Sequence, residues 1–267
     1  MSLPSTPLPP PAAKYPLFRA PEKYMATRAR GGLRGWLKAR REHRALARCL
    51  KGLPGLRTVC DVPSGPGRLF ALWRSHGLAV IGLDLAPEMT GSASRMHRAL
   101  GLGGRVGAGD AFHLSAALPE GADLIACVRF MYYFDQRERI ALWRSLAAAS
   151  HRHVVVQLRT SETLRGQLVA ARTEANLRRR RARHLTRRLC SHADIAHEVA
   201  AAGLRLVRIV PMGELSDRVF VLAEKPAKPT WIPTVPTVAP IHRGRWSPAG
   251  LAIRGLVAAC GWAASLR

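Results

Sequence analysis

The chain has 267 residues, a length that suits one α/β domain with appendages, and 48% of them are apolar, enough for a large core. No run of about 20 uninterrupted apolar residues is present, and the N-terminus lacks a charged segment followed by an apolar one, so we expect neither a transmembrane helix nor a secretory signal. The formal net charge of +25 favours an anionic partner, but aromatic residues are not interleaved with the basic ones, which argues against a platform for single-stranded nucleic acid.

The N-terminal part of the chain changes character before residue 35. Residues 1–13 are rich in proline and predict a disordered tail. From Gly35 to Leu50, apolar residues recur at helical spacing beside a strongly charged face. We therefore predict a helix here and expect its run of arginines to face solvent.

The stretch from Thr58 to Met89 organises the rest of the chain. A short apolar run ends at Asp61 and is followed by a turn that contains Gly65 and Gly67, a helical pattern and a second apolar run that ends at Asp84. In a parallel sheet, a turn of this kind lies at the carboxyl edge, where small ligands bind. The glycines let the backbone approach a ligand closely. Asp84 stands where a carboxylate can accept hydrogen bonds from both hydroxyls of a ribose.

Two segments of this stretch resemble motifs of the Rossmann-like, class I S-adenosylmethionine (SAM) methyltransferases. DVPSGPGR, which starts at Asp61, resembles their first motif, D-x-G-x-G-x-G, with Pro63 in place of the first glycine. GLDLAPEM, which ends at Met89, resembles their acidic second-strand motif, G-x-D-x-S-x-x-M. The nicotinamide fingerprint G-x-G-x-x-G fails because Phe70 stands where its third glycine should be.

Two further segments extend the resemblance. The run from Arg105 to Asp110 predicts a third strand, and the Asp-Ala pair at its end resembles the third motif, which meets the adenine edge. Residues 122–128 form a continuous apolar run, typical of a strand buried on both faces. The next segment, RFMYYF, resembles the R-L-L-H-H-F form of one bacterial small-molecule subgroup, with Tyr132 and Tyr133 at the histidine positions. Such rings could bound the positively charged sulfonium.

The resemblance thus implies SAM as the cofactor and a set of candidate site residues. The cofactor-binding candidates are Asp61, Pro63, Ser64, Gly65, Gly67, Asp84, Leu85, Met89, Asp110, Ala111 and Val128. The catalytic candidates are Arg129, Tyr132 and Tyr133. No general base stands out. The five cysteines contain no C-x-x-C pair, so we expect buried thiols in a cytoplasmic protein and no metal site.

A basic insertion interrupts the family pattern after the predicted helix at residues 136–149 and the fifth strand at residues 153–158. We predict one or two helical segments at residues 161–189, where eight arginines and one glutamate lie between Arg172 and Arg188. Insertions at this point often cap the substrate pocket. Contact with an anionic substrate, an anionic lipid surface or water alone stay open as alternatives.

The remaining segments complete the predicted fold. Ser191 begins a helix with Asp194 as a capping-box partner, and the runs at residues 204–210 and 219–224 predict an antiparallel pair of strands. The fold class is therefore α/β: a Rossmann-like, seven-stranded, mostly parallel sheet with an antiparallel last strand and helices on both faces. We assign the methyltransferase domain to residues 14–224, a proline-rich linker to residues 225–247 and an amphipathic segment to residues 248–267.

These observations predict a SAM-dependent methyltransferase with a small-molecule or lipid-like acceptor. The N-P-P-Y type motif of adenine and glutamine N-methyltransferases and the paired cysteines of RNA cytosine enzymes are both absent from the sequence. An anionic acceptor and peripheral membrane contact stay open, as does the oligomeric state. The alternatives are an RNA methyltransferase or nucleic-acid-binding protein with a vestigial SAM fold, and a membrane-peripheral scaffold.

Overall fold

The computed structural model describes residues 32–178 and 189–226. Seven strands and seven α-helices lie in these ranges. In chain order they are α1 (Gly32–Leu50), β1 (Thr58–Asp61), α2 (Phe70–Ser75), β2 (Ala79–Asp84), α3 (Pro87–Ala99), β3 (Gly104–Ala108), α4 (Leu114–Ala117), β4 (Ala122–Cys127), α5 (Gln136–Ala149), β5 (Ser150–Arg159), α6 (Leu164–Arg178), α7 (His192–Ala201), β6 (Arg205–Pro211) and β7 (Arg218–Glu224). Short 3₁₀ turns precede α4 (Ala111–His113) and α5 (Met131–Tyr133).

The seven strands form one sheet in the order β3-β2-β1-β4-β5-β7-β6. Strands β1 to β5 pair in parallel, while β7 runs antiparallel to both of its neighbours, β5 and β6. The predicted fold class is confirmed. The strand order reverses direction between β1 and β4, and this reversal opens a crevice at the carboxyl edge of the sheet, where ligands bind in open α/β folds.

Apolar side chains cover both faces of the sheet. On one face, Trp143 of α5 and Ile195 of α7 are fully buried. On the other face, Leu46 of α1 and Trp73 of α2 are fully buried. Two continuous cores therefore hold the sheet rigid, and the ends of its strands can present side chains in fixed positions. The four described cysteines are buried and free, as predicted; Cys260 lies outside the described residues.

The termini of two helices follow from their local sequence. At α7, the Ser191 hydroxyl accepts a hydrogen bond from the Asp194 N–H at 3.0 Å, while the Ser191 N–H donates to the Asp194 carboxylate at 2.8 Å. This reciprocal pair is the predicted capping box. At α5, Asp135 and Glu138 form a second capping box that the sequence analysis had not singled out.

Two local expectations change in the structure. Trp36 and Leu37, which belong to the apolar pattern of α1, are 54% and 40% exposed, and the guanidinium of Arg40 lies 5.1 Å from the centre of the Trp36 ring. Strand β5 is longer than the predicted residues 153–158, because Ser150 pairs with Ala122 of β4 at its start and Arg159 pairs with Arg218 of β7 at its end.

Several predicted segments fall wholly or partly outside the described residues. They are the tail at residues 1–13, residues 179–188 of the basic insertion, the linker beyond residue 226 and the C-terminal segment. Helix α6 occupies the first part of the insertion. Among the described helices, none is long and apolar enough to cross a membrane.

Candidate functional site

A cleft opens at the carboxyl edge of the sheet, above the ends of β1, β2, β3 and β4. It contains about 670 Å³ of empty space, counted out to its open mouth. Its walls come from the segments that follow these four strands: Pro63, Gly65, Pro66, Asp84, Leu85, Ala86, Met89, Gly109, Asp110, Ala111, Val128, Arg129 and Phe130. The glycine-rich turn and the two acidic residues that end β1 and β2, Asp61 and Asp84, therefore lie in or next to this cleft.

The glycine-rich turn after β1 forms the floor of the cleft. Gly65 and Gly67 both adopt positive φ, +55° and +81°. A Cβ atom at Gly65 would meet nothing within 4 Å, whereas one at Gly67 would lie 2.8 Å from the Phe70 ring. Gly65 therefore keeps cleft space open, and Gly67 lets the turn pack closely against α2.

Asp84 joins the ends of β1 and β2. Its carboxylate accepts hydrogen bonds from the N–H groups of Gly65 at 2.8 Å and Ala86 at 3.0 Å. Burial raises the pKa of Asp84, while these backbone hydrogen bonds favour the ionised form. A carboxylate has about four lone-pair sites, so Asp84 can accept further hydrogen bonds from hydroxyl groups in the cleft.

Asp61 lies behind the turn and does not line the cleft. It is 2% exposed, and its carboxylate accepts a hydrogen bond from the Trp73 indole N–H at 3.2 Å. Burial raises the pKa of Asp61 to about 7, against the Trp73 hydrogen bond and the charge of Arg68. The side chain thus supports the turn from below.

The raised pKa of Asp61 predicts a pH-dependent stability. The pKa of this aspartate in the unfolded chain is 3.8, so below that pH its carboxyl group is protonated in both states and its contribution to stability is fully present. This contribution is lost as the pH rises through the folded-state pKa of about 7. Asp61→Asn is neutral throughout, so its free energy of unfolding should rise relative to the wild type by an amount on the order of a few kcal/mol over this range. Urea unfolding of both proteins at about pH 5 and about pH 8 measures this change. Parallel pH profiles would contradict the raised pKa.

Asp110 lies at the far end of the cleft, after β3. Its carboxylate accepts a hydrogen bond from the Phe112 N–H at 2.9 Å and lies 3.1 Å from Nδ1 of His113, whose side chain is 79% exposed. The side chain therefore shapes the turn that brings Ala111 to the cleft wall.

The structure brings most, but not all, of the predicted site residues together. Those that line the cleft are Pro63, Gly65, Asp84, Leu85, Met89, Asp110, Ala111, Val128 and Arg129. Those outside its lining are Asp61, Ser64, Gly67, Tyr132 and Tyr133. The two tyrosine rings lie 4.8 Å apart, and the guanidinium of Arg218, at the start of β7, lies 5.9 Å from the Tyr132 ring. Both tyrosine rings therefore lie beside the part of the sheet edge where β5 ends and β7 begins.

A buried carboxylate that the sequence analysis missed lies beside the cleft. Glu42 of α1 is 0% exposed and binds three side chains from three different parts of the fold. Arg129 donates to it through Nε at 2.8 Å and Nη2 at 2.7 Å, Arg68 donates through Nη1 at 2.7 Å, and Gln157 donates through Nε2 at 2.9 Å. Glu42 therefore ties α1 to the glycine-rich turn, the end of β4 and the end of β5.

The position of Glu42 carries a signal in the sequence. It precedes Ala45, Leu46 and Cys49 by three, four and seven residues, so it belongs to the buried stripe of α1. The neighbouring arginines, Arg40, Arg41 and Arg44, are exposed as predicted, whereas Glu42 among them is buried. Among the described residues, no group of three or more histidine, cysteine, aspartate or glutamate side chains could hold a metal ion.

The fold and the cleft define a Rossmann-like domain built to hold a small ligand at the carboxyl edge of its sheet. Residues 59–152, from β1 into β5, match the family model described as a methyltransferase domain. This range contains the glycine-rich turn, Asp84, Asp110 and Arg129. The chain therefore contains a methyltransferase domain, and its sheet order is that of the class I, SAM-dependent fold.

Solved structures with the same fold include several methyltransferases. Magnesium protoporphyrin IX methyltransferase from Synechocystis PCC 6803, with bound S-adenosylhomocysteine (SAH), is 18% identical; the alignment covers 81% of this chain and 100% of that one, with a TM-score of 0.58. The O-methyltransferase NcsB1 from neocarzinostatin biosynthesis, in complex with SAH and 1,4-dihydroxy-2-naphthoic acid, is 26% identical over 64% of this chain and 50% of that one, with a TM-score of 0.50. Mitomycin 7-O-methyltransferase is 21% identical over 72% and 55%, with a TM-score of 0.53. No curated protein matches the sequence.

The residues of the cleft fit SAM. Gly65 leaves open the space that a Cβ atom would fill, and Asp84 faces the cleft with acceptor capacity for a ribose. When bound there, SAM supplies a methyl group on a sulfonium. The protein positions the two reactants, and this positioning can lower the reaction barrier by about 7–11 kcal/mol.

Proposed function

We propose that this protein transfers a methyl group from SAM to a small organic acceptor that carries an acidic group. The cleft itself carries the first part of the proposal, because it combines an open glycine turn with a cleft-facing carboxylate. The charged groups in and around the cleft support the second part, an acidic acceptor.

The described walls of the cleft offer little for proton abstraction. Their carboxylates are Asp84 and Asp110, and both already accept hydrogen bonds from backbone N–H groups. A general base matters only when the acceptor must lose a proton in the transition state. An acceptor that is already ionised, such as a carboxylate or an acidic hydroxyl, needs no base, and this favours an acidic molecule.

The charges beyond the cleft also favour an acidic acceptor. Arg218 stands at the start of β7, next to Tyr132, and Arg159 lies opposite it at the end of β5. Asp217 pairs with Arg159, so the attraction for an acidic acceptor at this place comes from Arg218. The chain as a whole carries a net charge of +25, which attracts anions over the range of a Debye length. NcsB1 was crystallised with a naphthoic acid, which is consistent with an acidic aromatic acceptor here.

A transfer assay tests the proposal. The protein is incubated with SAM labelled in the methyl group and, separately, with hydroxynaphthoic acids, a porphyrin, transfer RNA and vesicles containing anionic lipid. We expect label in a small acid and none in RNA. Label in RNA alone would contradict the proposed acceptor class, and label in lipid alone would assign the acceptor to the membrane surface instead.

A further inference from the structure

The sheet order places four cleft residues in a row. Strands β3, β2, β1 and β4 are neighbours in that order, so Asp110, Asp84, Gly65 and Arg129 follow one another along the cleft. If Asp84 holds the ribose of SAM and the turn after β3 meets the adenine, the amino-acid end of the molecule points toward β4. Arg129 is the residue at that end.

The conformation of Arg129 is unusual. Its φ is +64°, and it is the one residue other than glycine with positive φ in the described part of the chain. A non-glycine residue in this region is uncommon and often belongs to a functional site. Here the conformation allows the residue to line the cleft while its guanidinium reaches Glu42.

One end of this guanidinium is unsatisfied. The Nε and Nη2 atoms of Arg129 donate to Glu42, whereas Nη1 is buried and has no hydrogen-bond partner among the described residues. The side chain is 7% exposed. A buried donor without a partner is destabilising, and the cost is larger when the donor is charged.

Glu42 is also shared between two cations. It accepts hydrogen bonds from the guanidinium groups of Arg68 and Arg129, and Gln157 adds no charge. A second carboxylate at the cleft wall would give Arg129 an anionic partner of its own.

We propose that Arg129 binds the carboxylate of the amino-acid part of SAM through Nη1, and that Glu42 is the positioning residue that holds Arg129 for this contact. The inference rests on the proposed function, because it assumes that the nucleoside part of SAM occupies the cleft. Glu42 touches no ligand; it acts by fixing the guanidinium fork and by keeping its charge at the cleft wall.

Two probes isolate this contact. SAH carries the amino-acid carboxylate, and 5′-methylthioadenosine shares its nucleoside and sulfur but lacks the amino-acid group. We expect Arg129→Gln to weaken SAH binding by about 10- to 100-fold, the range for a hydrogen bond to a charged group, and to change methylthioadenosine binding by less than about twofold. Calorimetry measures both dissociation constants. Arg137→Gln, which removes an exposed arginine from α5, is the matched control and should change neither.

A second variant tests the role of Glu42. Glu42→Gln keeps the size of the side chain and removes its charge, so SAH binding should weaken in the same selective way, with circular dichroism confirming the fold. The ratio of the two dissociation constants is taken within one variant, so a general loss of stability does not imitate the effect. If Glu42→Gln does not fold, the ratio in Arg129→Gln decides alone.

The outcomes separate this inference from the proposed function. Equal losses for SAH and methylthioadenosine in Arg129→Gln, or no loss of either, would overturn the carboxylate contact while leaving the methyltransferase intact. An unchanged ratio with a raised KM for an acidic acceptor would assign the contact to the acceptor and overturn the assignment to SAM. A wild-type protein that binds neither probe would contradict the proposed function itself.

Discussion

Replacing Glu42 with alanine is expected to lower the free energy of unfolding by about 3–5 kcal/mol, because removing one partner of a buried ion pair leaves an uncompensated buried charge. Here two guanidinium groups lose their carboxylate at once, since Arg68 and Arg129 both donate to Glu42. Gln157 loses an acceptor as well. Because domains of this kind are stable by only about 5–15 kcal/mol, the variant should unfold at a much lower urea concentration.

An exposed ion pair provides the control for this variant. Glu120 bonds Arg105 at 2.8 Å, a distance close to those at Glu42, but both of its side chains are about half exposed, at 50% and 46%. Solvent screens such a pair, so Glu120→Ala should change the urea midpoint far less. Equal shifts in the two variants would contradict the claim that the Glu42 cluster joins α1 to the cleft loops.

Gly65→Val is expected to weaken SAH binding by about 10- to 100-fold, because a branched side chain would occupy cleft space and overfilling a close-packed site costs about 1–3 kcal/mol. No atom lies within 4 Å of the position of the added Cβ, so the side chain has room where the ligand should be. The positive φ of +55° adds strain of about 1–2 kcal/mol, which lowers stability as well.

Gly77→Val separates these two effects. Gly77 has a similar φ of +70°, an added Cβ atom there would also meet nothing within 4 Å, and the residue lies in the turn before β2, away from the cleft. Its substitution should cost comparable stability and leave SAH binding unchanged. If both variants bind SAH as the wild type does, the turn at Gly65 is not the floor of the cofactor site.

Much of this fold is predictable from local patterns. The apolar runs that end at Asp61 and Asp84 are strands because both faces of a parallel strand are covered, and such runs are continuous in the sequence. The Ser191 helix starts where its capping box predicts. The glycine turn between β1 and α2 carries φ values that few other residues adopt, so its composition indicates its shape.

The parts that escaped prediction depend on contacts between distant residues. Glu42 lies 87 positions before Arg129 and 115 before Gln157, so the local sequence pattern does not reveal either contact. Its place on the apolar stripe of α1 was a visible signal, but the charged neighbours hid it. Tyr132 likewise occupies a motif position next to the cleft, yet its ring packs beside Arg218 from β7, a contact that only the antiparallel closing strand creates.

The most direct test of the cofactor site is a calorimetric titration of the wild type and of Asp84→Ala with SAH. We predict that the wild type binds SAH and that Asp84→Ala, with its fold confirmed by circular dichroism, binds it more weakly by about 1.5–3 kcal/mol, the range for hydrogen bonds to a charged group. The same dissociation constant in both proteins, or no binding by the wild type, would contradict a SAM site in which Asp84 holds the ribose.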